Sequence, residues 1–175
     1  MENSILEVKG LYKVVSLKRF RVTEGVLFEI VPLDVISNIS GIDRVVHLST
    51  AVSPGKIDNV ERPWYMHEFQ EDNLLVLHGA RHVDLYSVEH GKIESFVVTP
   101  DKIFKDGVLI IDEPSMLVWP RNVFHRVKSP EGSSSVNLAT RCVGYNNDNN
   151  FSIYDVNIDT GDYKIIREGC KDQFS

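Results

Sequence analysis

Residues 62–79 read RPWYMHEFQEDNLLVLHG. The opening of this stretch suits an extended chain, in which side chains alternate between two faces, so Tyr65 and His67 share one face and Met66 takes the other. Four residues then separate His67 from Asp72, and six more lead through an apolar run to Gly79. A second stretch, residues 114–129, reads PSMLVWPRNVFHRVKS and sets His125 in equally apolar surroundings. Asn122, between Pro120 and His125, is, like glycine, a residue that accepts a left-handed turn conformation. Whether the two histidines meet around one site decides both fold and function.

The flanking sequence carries little helical periodicity. Short runs rich in Val, Ile, Leu, Phe and Tyr recur between turn residues, which predicts strands near 26–32, 43–52, 73–79, 82–89, 92–100, 107–113, 115–120, 125–129, 135–142 and 151–157. His90-Gly91 between two alternating runs predicts a tight hairpin, and residues 159–162 (DTGD) predict another near the C-terminus. The segment PDKIFKDG (100–107) suits a helical turn, and KGLYKVVSLKRF (9–20) suits a short helix or an edge strand. NNDNN (146–150) and EGSSS (131–135) read as exposed polar loops. This is the inventory of an all-β sandwich or barrel.

The totals fit that class. A chain of 175 residues, 42% hydrophobic and 25% charged, has the make-up of one globular domain. The formal charge of -6, with basic residues scattered singly, argues against nucleic acid as a partner. The first residues hold no apolar stretch of signal or membrane-span length, so a cytoplasmic protein with no membrane partner is expected. Cys142 and Cys170 lie far apart, outside any CxxC spacing, and are expected to be reduced. The triplets at Asn38 and Asn150 that match a glycosylation pattern are read as chance.

The spacing of the 62–79 stretch resembles the first motif of the cupin superfamily: histidine, one residue, histidine, a short gap, a carboxylate, six residues and a glycine. Tyr65 stands at the first histidine, His67 at the second, Asp72 at the carboxylate and Gly79 at the closing turn. Pro120 to His125 is similar to the second motif, with Asn122 at the glycine and His125 at its histidine. The resemblance implies an all-β cupin-type double-stranded β-helix, a jelly-roll barrel of the RmlC-like kind with N-terminal extension strands. It implies one domain over 1–175, with residues 1–45 as an N-terminal arm, 46–145 as the barrel core and 146–175 as a C-terminal hairpin. In such a barrel the two motif strands lie side by side.

His67, Asp72 and His125 would then face one cavity, where two imidazoles and a carboxylate hold a divalent metal such as Fe, Zn, Mn or Ni. The alternative is a cupin that has lost its metal, as the change to Tyr65 suggests, and works through side chains alone. MHEFQEDNLLVLHGARHVDLYSV (66–88) is further similar to metal-free nucleotide-sugar epimerases acting at carbons 3 and 5 of a 4-keto sugar. That likeness implies His67 as base, Tyr65 or Tyr86 as acid, and a carbohydrate-like substrate.

Catalytic candidates are therefore His67, Tyr65 and His125, and ligand-binding candidates are Arg62, Gln70, Trp119 and Tyr86. Trp64, Phe69 and Phe124 are weighed as stacking surfaces, and Arg81, Arg126 and Arg141 as guanidinium donors to an anion. Arg126 is expected to point away from the face of His125. His47, His78, His82 and His90 lack ligand spacing and are read as structural or exposed. Three functions fit: an enzyme on a small polar substrate, a non-catalytic ligand-binding module, or a metal-dependent oxygenase. Jelly-roll edges and an N-terminal arm also favour a homodimer.

Overall fold

The computed structural model describes residues 5–172. Strands β1 to β17, in chain order, form almost all of its regular structure. One sheet has the order β1-β2-β13-β8-β15-β5: β1 (Ile5–Val8), β2 (Tyr12–Ser16), β13 (Ser115–Trp119), β8 (Gln70–Gly79), β15 (Ser133–Arg141) and β5 (Gly41–His47). A second runs β12-β11-β10-β9-β14-β7-β16-β17: β12 (Val108–Ile111), β11 (Ile103–Lys105), β10 (Glu94–Val98), β9 (Arg81–Tyr86), β14 (Phe124–Ser129), β7 (Trp64–Met66), β16 (Ile153–Val156) and β17 (Tyr163–Arg167). β6 (Ala51–Ser53) also pairs with β14, and β3 (Lys18–Thr23) pairs only with β4 (Val26–Ile30). The pairing between strands is antiparallel throughout.

Period-two alternation builds the interior. β9 buries Arg81, Val83 and Leu85, and β10 buries Phe96 and Val98. Leu74 and Val76 of β8 and Leu117 and Trp119 of β13 belong to the same buried cluster. Each such aliphatic side chain stabilises the fold by about 1.5–3 kcal/mol relative to exposure. Val15, Met116 and Val118 alternate to the opposite face of the first sheet, where Val31, Val35 and Ile36 pack against them. Trp64, Met66, Tyr86, Phe124 and Tyr154 form a separate aromatic cluster.

The predicted strands are present, that near 43–52 broken at Thr50 (φ +62°) into β5 and β6, and four local expectations are corrected. Residues 133–135 are not an exposed loop but open β15, with Ser133 and Ser135 buried. Residues 100–107 form no helical turn. Ile103 is buried on β11, and Asp106-Gly107, both at positive φ (48° and 80°), make a two-residue hairpin turn into β12. Residues 9–20 supply β2 and part of β3, and β2 lies inside its sheet rather than at an edge. Residues 147–150 form a single helical turn, α1 (Asn147–Asn150), capped by the Asn146 side chain, which accepts from the Asp148 amide, and Asn150 is fully buried.

The β9–β10 hairpin exists, although His90-Gly91 lies within a longer connection, Gly91 at φ +73° donating to the Ser87 carbonyl. The C-terminal hairpin turns at Gly161, φ +80°. Gly79 has φ +72°, and a Cβ there would stand 2.3 Å from the Gly132 carbonyl oxygen, so this turn requires glycine.

Candidate functional site

β14 brings His125 alongside Tyr65 of β7 on one side and Leu85 of β9 on the other. β8 carries Gln70 and Asp72 in the facing sheet, with Asp72 opposite Trp119 of β13. His67 lies in the link between β7 and β8, where the chain passes from one sheet to the other. The Asn122 turn, at φ +64°, donates its amide to the His67 carbonyl at 2.9 Å and ties the two motifs together.

The two histidines therefore meet. Their rings lie 4.7 Å apart, centre to centre. His67 Nε2 stands 3.4 Å and His125 Nε2 3.9 Å from Asp72 Oδ2. All three residues are buried, and one ligand atom from each lies within 4.8 Å of the others.

The remaining polar atoms of this trio are held. His67 Nδ1 donates to the Asn150 carbonyl, and His125 Nδ1 lies 3.3 Å from the Val123 carbonyl. Asp72 Oδ1 accepts from Gln70 Nε2 at 2.7 Å and from Asn137 Nδ2 at 2.6 Å. Gln70 Oε1 accepts from Arg141 Nε, and Arg141 grips Asp43 through Nη2, at 2.8 and 2.9 Å to the two carboxylate oxygens. The guanidinium charge is thus neutralised by Asp43 rather than by Asp72.

Burial, reinforced by the neighbouring His67, pulls the His125 pKa down to about 4, which keeps its imidazole neutral at pH 7. Burial raises the Tyr65 phenol above its ordinary value, partly offset by a hydrogen bond with Ser53, so it stays protonated. Phe151 meets the His67 ring edge-on at 5.1 Å, and Trp119 lies 5.2 Å from His125.

A cavity of about 260 Å³ opens in front of these groups. Of the residues singled out in the sequence, Tyr65, His67, Gln70, Asp72, Arg81, Trp119 and His125 line it. Arg62 and Tyr86 do not. Tyr86 alternates to the opposite face of β9 and is buried in the aromatic cluster with Trp64 and Phe124. Arg62 lies outside the cavity and offers its carbonyl to Arg126. Arg126 points away from His125, as alternation requires, pairing with Asp84 at 2.8 Å and covering the Trp64 ring.

Four contributors were not legible as site residues. His47, read as structural or exposed, lines the cavity, and its Nδ1 lies 3.0 Å from Ser129 Oγ. Asn137 and Asp43 act through partners distant in sequence. Asn150 acts through its backbone, and the asparagine cap of α1 was the one local signal for it.

No protein-family model matches the chain, and no curated protein matches its sequence. Solved structures do match. RmlC of Legionella pneumophila, a dTDP-6-deoxy-D-glucose-3,5-epimerase solved with dTDP-4-keto-L-rhamnose, superposes with a TM-score of 0.60 at 10% identity, covering 93% of this chain and 84% of that one. This chain has the fold of the RmlC-like cupins. The dTDP-4-dehydrorhamnose 3,5-epimerase of Sulfolobus tokodaii aligns over 83% of this chain and 78% of its own length, with a TM-score of 0.55 and 17% identity. QdtA, a sugar 3,4-ketoisomerase from Thermoanaerobacterium thermosaccharolyticum solved with TDP, covers 80% and 85% with a TM-score of 0.52 and 13% identity. At these identities the likeness is one of fold, and the chemistry of this chain has to be argued from its own cavity.

Proposed function

We propose that this cupin is a divalent-metal-dependent enzyme that isomerises or epimerises a small carbohydrate-like substrate at a carbon next to a carbonyl. One observation carries the reading. With both Nδ1 positions turned to backbone carbonyls and Asp72 Oδ1 taken by two amides, the atoms left facing one another are two imidazole lone pairs and a carboxylate oxygen. Three acceptors converging in a buried space call for a cation between them. Metal-bound histidines characteristically give their other ring N–H to a backbone carbonyl, as both do here.

Donors about 2.1 Å from one ion lie about 3–4 Å from each other, the range of the 3.4 and 3.9 Å from Asp72 Oδ2 to the two Nε2 atoms. His67, Asp72 and His125 would hold the ion, and two nitrogens with one oxygen suit Fe, Zn, Mn or Ni. Bound there, it would polarise a substrate carbonyl and acidify the adjacent C–H. Tyr65, protonated and on the cavity wall, would donate its proton to the substrate carbonyl oxygen as charge develops there, the C–H proton passing to solvent water in the cavity, which is then the source of the proton returned to carbon. The cavity has room for one sugar-sized molecule rather than a whole nucleotide sugar.

A second reading rests on the 3.4 Å approach of His67 to Asp72. In it His67 is a base steadied by Asp72 and no metal takes part, as in the epimerases the sequence resembles. One experiment separates the two. Protein grown without added metal and never passed over nickel is assayed for metal content, and for exchange of substrate C–H for deuterium across a panel of aldoses and ketoses.

The metal reading expects near-stoichiometric metal that is lost in His67→Ala and His125→Ala, and exchange that a chelator abolishes and added metal restores. Exchange that survives chelation selects the second reading. Neither metal nor exchange would leave a non-catalytic binding module. We further propose that residues 1–175 act as one domain and that the protein is a homodimer, supported by the exposed apolar hairpin of β3 and β4.

A further inference from the structure

Arg81 is the first residue of β9 and, at 4% exposure, among the most enclosed charged side chains described. Its hydrogen bonds within the protein go to neutral acceptors: Nε to Ser133 Oγ and Nη2 to the Val45 carbonyl, each at 3.2 Å. No carboxylate pairs with it among the described residues. Arg141 has Asp43, and Arg126 has Asp84. A buried guanidinium left without a counter-charge is costly unless something else supplies the anion.

Its surroundings are built to donate. Trp119 and Ser135 line the same cavity, are 5% and 1% exposed, and their Nε1 and Oγ are buried with no hydrogen-bond partner. Ser133 Oγ, accepting from Arg81, lies 2.9 Å from Ser129 Oγ, which lies 3.0 Å from His47 Nδ1. The direction that uses every hydroxyl hydrogen runs from Arg81 through Ser133 and Ser129 to an accepting His47 Nδ1. That leaves the proton of His47 on Nε2, as one more donor.

Strand register gives the distance to the metal trio. Val45, whose carbonyl holds the guanidinium, pairs with Ser135, two residues along β15 from Asn137, the residue that grips Asp72. Two strand residues correspond to about 7 Å. The open-chain form of a six-carbon sugar, in which the carbonyl is free, spans about 6 Å from carbonyl carbon to terminal carbon, close to that length.

We propose that the cavity takes a sugar acid, with its carboxylate on Arg81, Ser135 and Trp119 and its reacting carbonyl at His67, Asp72 and His125. The assignment names the substrate class for the site and rests on the reading above for which end reacts. A single guanidinium supplies one positive charge in a small cavity, which fits a monoanionic carboxylate better than a dianionic phosphate.

The test is a calorimetric and NMR titration of metal-loaded wild type, Arg81→Gln and Arg81→Lys with D-glucuronate, D-glucose and inorganic phosphate, metal content being measured on the same samples. The expected result is saturable glucuronate binding at least 10-fold tighter than glucose, with a shift of the Arg81 Nε–H resonance. Arg81→Gln should abolish the preference while retaining metal, and Arg81→Lys should restore part of it. Equal binding of the acid and the neutral sugar, no saturable binding of glucuronate, or tighter binding of phosphate would each overturn the carboxylate assignment. An unaltered preference in a folded Arg81→Gln protein would do the same. Loss of metal from the wild type would instead count against the metal trio, while the glucuronate titration still reports on Arg81.

Discussion

Asn137 shows how much of a site one uncharged side chain can set. Its amide donates to Asp72 Oδ1 and, with Gln70, fixes which carboxylate oxygen is left for His67 and His125. Asn137→Ala should weaken Zn²⁺ binding by about 10–100-fold, read by competition with a chelating dye. The cost to folding should be about 1.5–3 kcal/mol, because the bond lost is one to a charged, buried carboxylate and the Asn73 amide loses its acceptor as well. Unchanged affinity would show that Gln70 alone orients the carboxylate. Tyr65→Phe separates chemistry from binding in the same cavity. If the phenol is the acid, deuterium exchange should fall by about 10²–10⁴-fold in kcat with KM little altered, since the ring keeps its place.

The β9–β10 hairpin holds the most heavily paired carboxylate of the described residues. Glu94, at the start of β10, meets His90, Lys92 and Lys105. Burial pushes its pKa up, but the hydrogen bonds from Lys105, Lys92 and His90 outweigh that and hold it down at about 2. A folded-state value below the unfolded one contributes stability that is fully present above about pH 4.5 and fades as pH falls toward 2. Glu94→Gln should therefore lower stability to urea by about 2 kcal/mol at pH 7, less than the whole shift would give because Lys92 is open to solvent. The gap between variant and wild type should close by about pH 2. A constant gap across that range would mean that the loss is one of packing.

Hairpins were also what the sequence showed best, since alternation on both sides of His90-Gly91 and of Gly161 is a local signal. Asp106-Gly107 is just as strong a turn, yet the polar residues around Ile103 masked a strand of three residues. The histidine, carboxylate and histidine positions were legible because motif spacing fixes them. Asn137, Asp43 and His47 were not, because what makes them site residues is pairing across strands far apart in the chain.

At the scale of the whole molecule, β3 and β4 stand apart as a two-stranded sheet carrying Phe20 at 67% and Leu27 at 63% exposure, with Phe28 5.5 Å from Phe20. An isolated two-stranded hairpin is marginal in water, and contiguous exposed apolar side chains mark a surface that is covered in use. β3 also carries Lys18, Arg19 and Arg21 on a chain whose formal charge is -6, so a second copy of the chain offers both an apolar face and the complementary charge. Two-fold pairing would let each hairpin lie on its partner, an arrangement that closes on itself and leaves no hairpin free. Light scattering during gel filtration should give twice the calculated 19.9 kDa. Phe20→Lys combined with Leu27→Glu should give a monomer with an unchanged strand signature in circular dichroism, because neither side chain belongs to the buried core. A wild-type monomer at tens of micromolar protein would sink the homodimer and leave the hairpin to some other partner, whereas a dimer that survives both substitutions would place the interface elsewhere on the sheets.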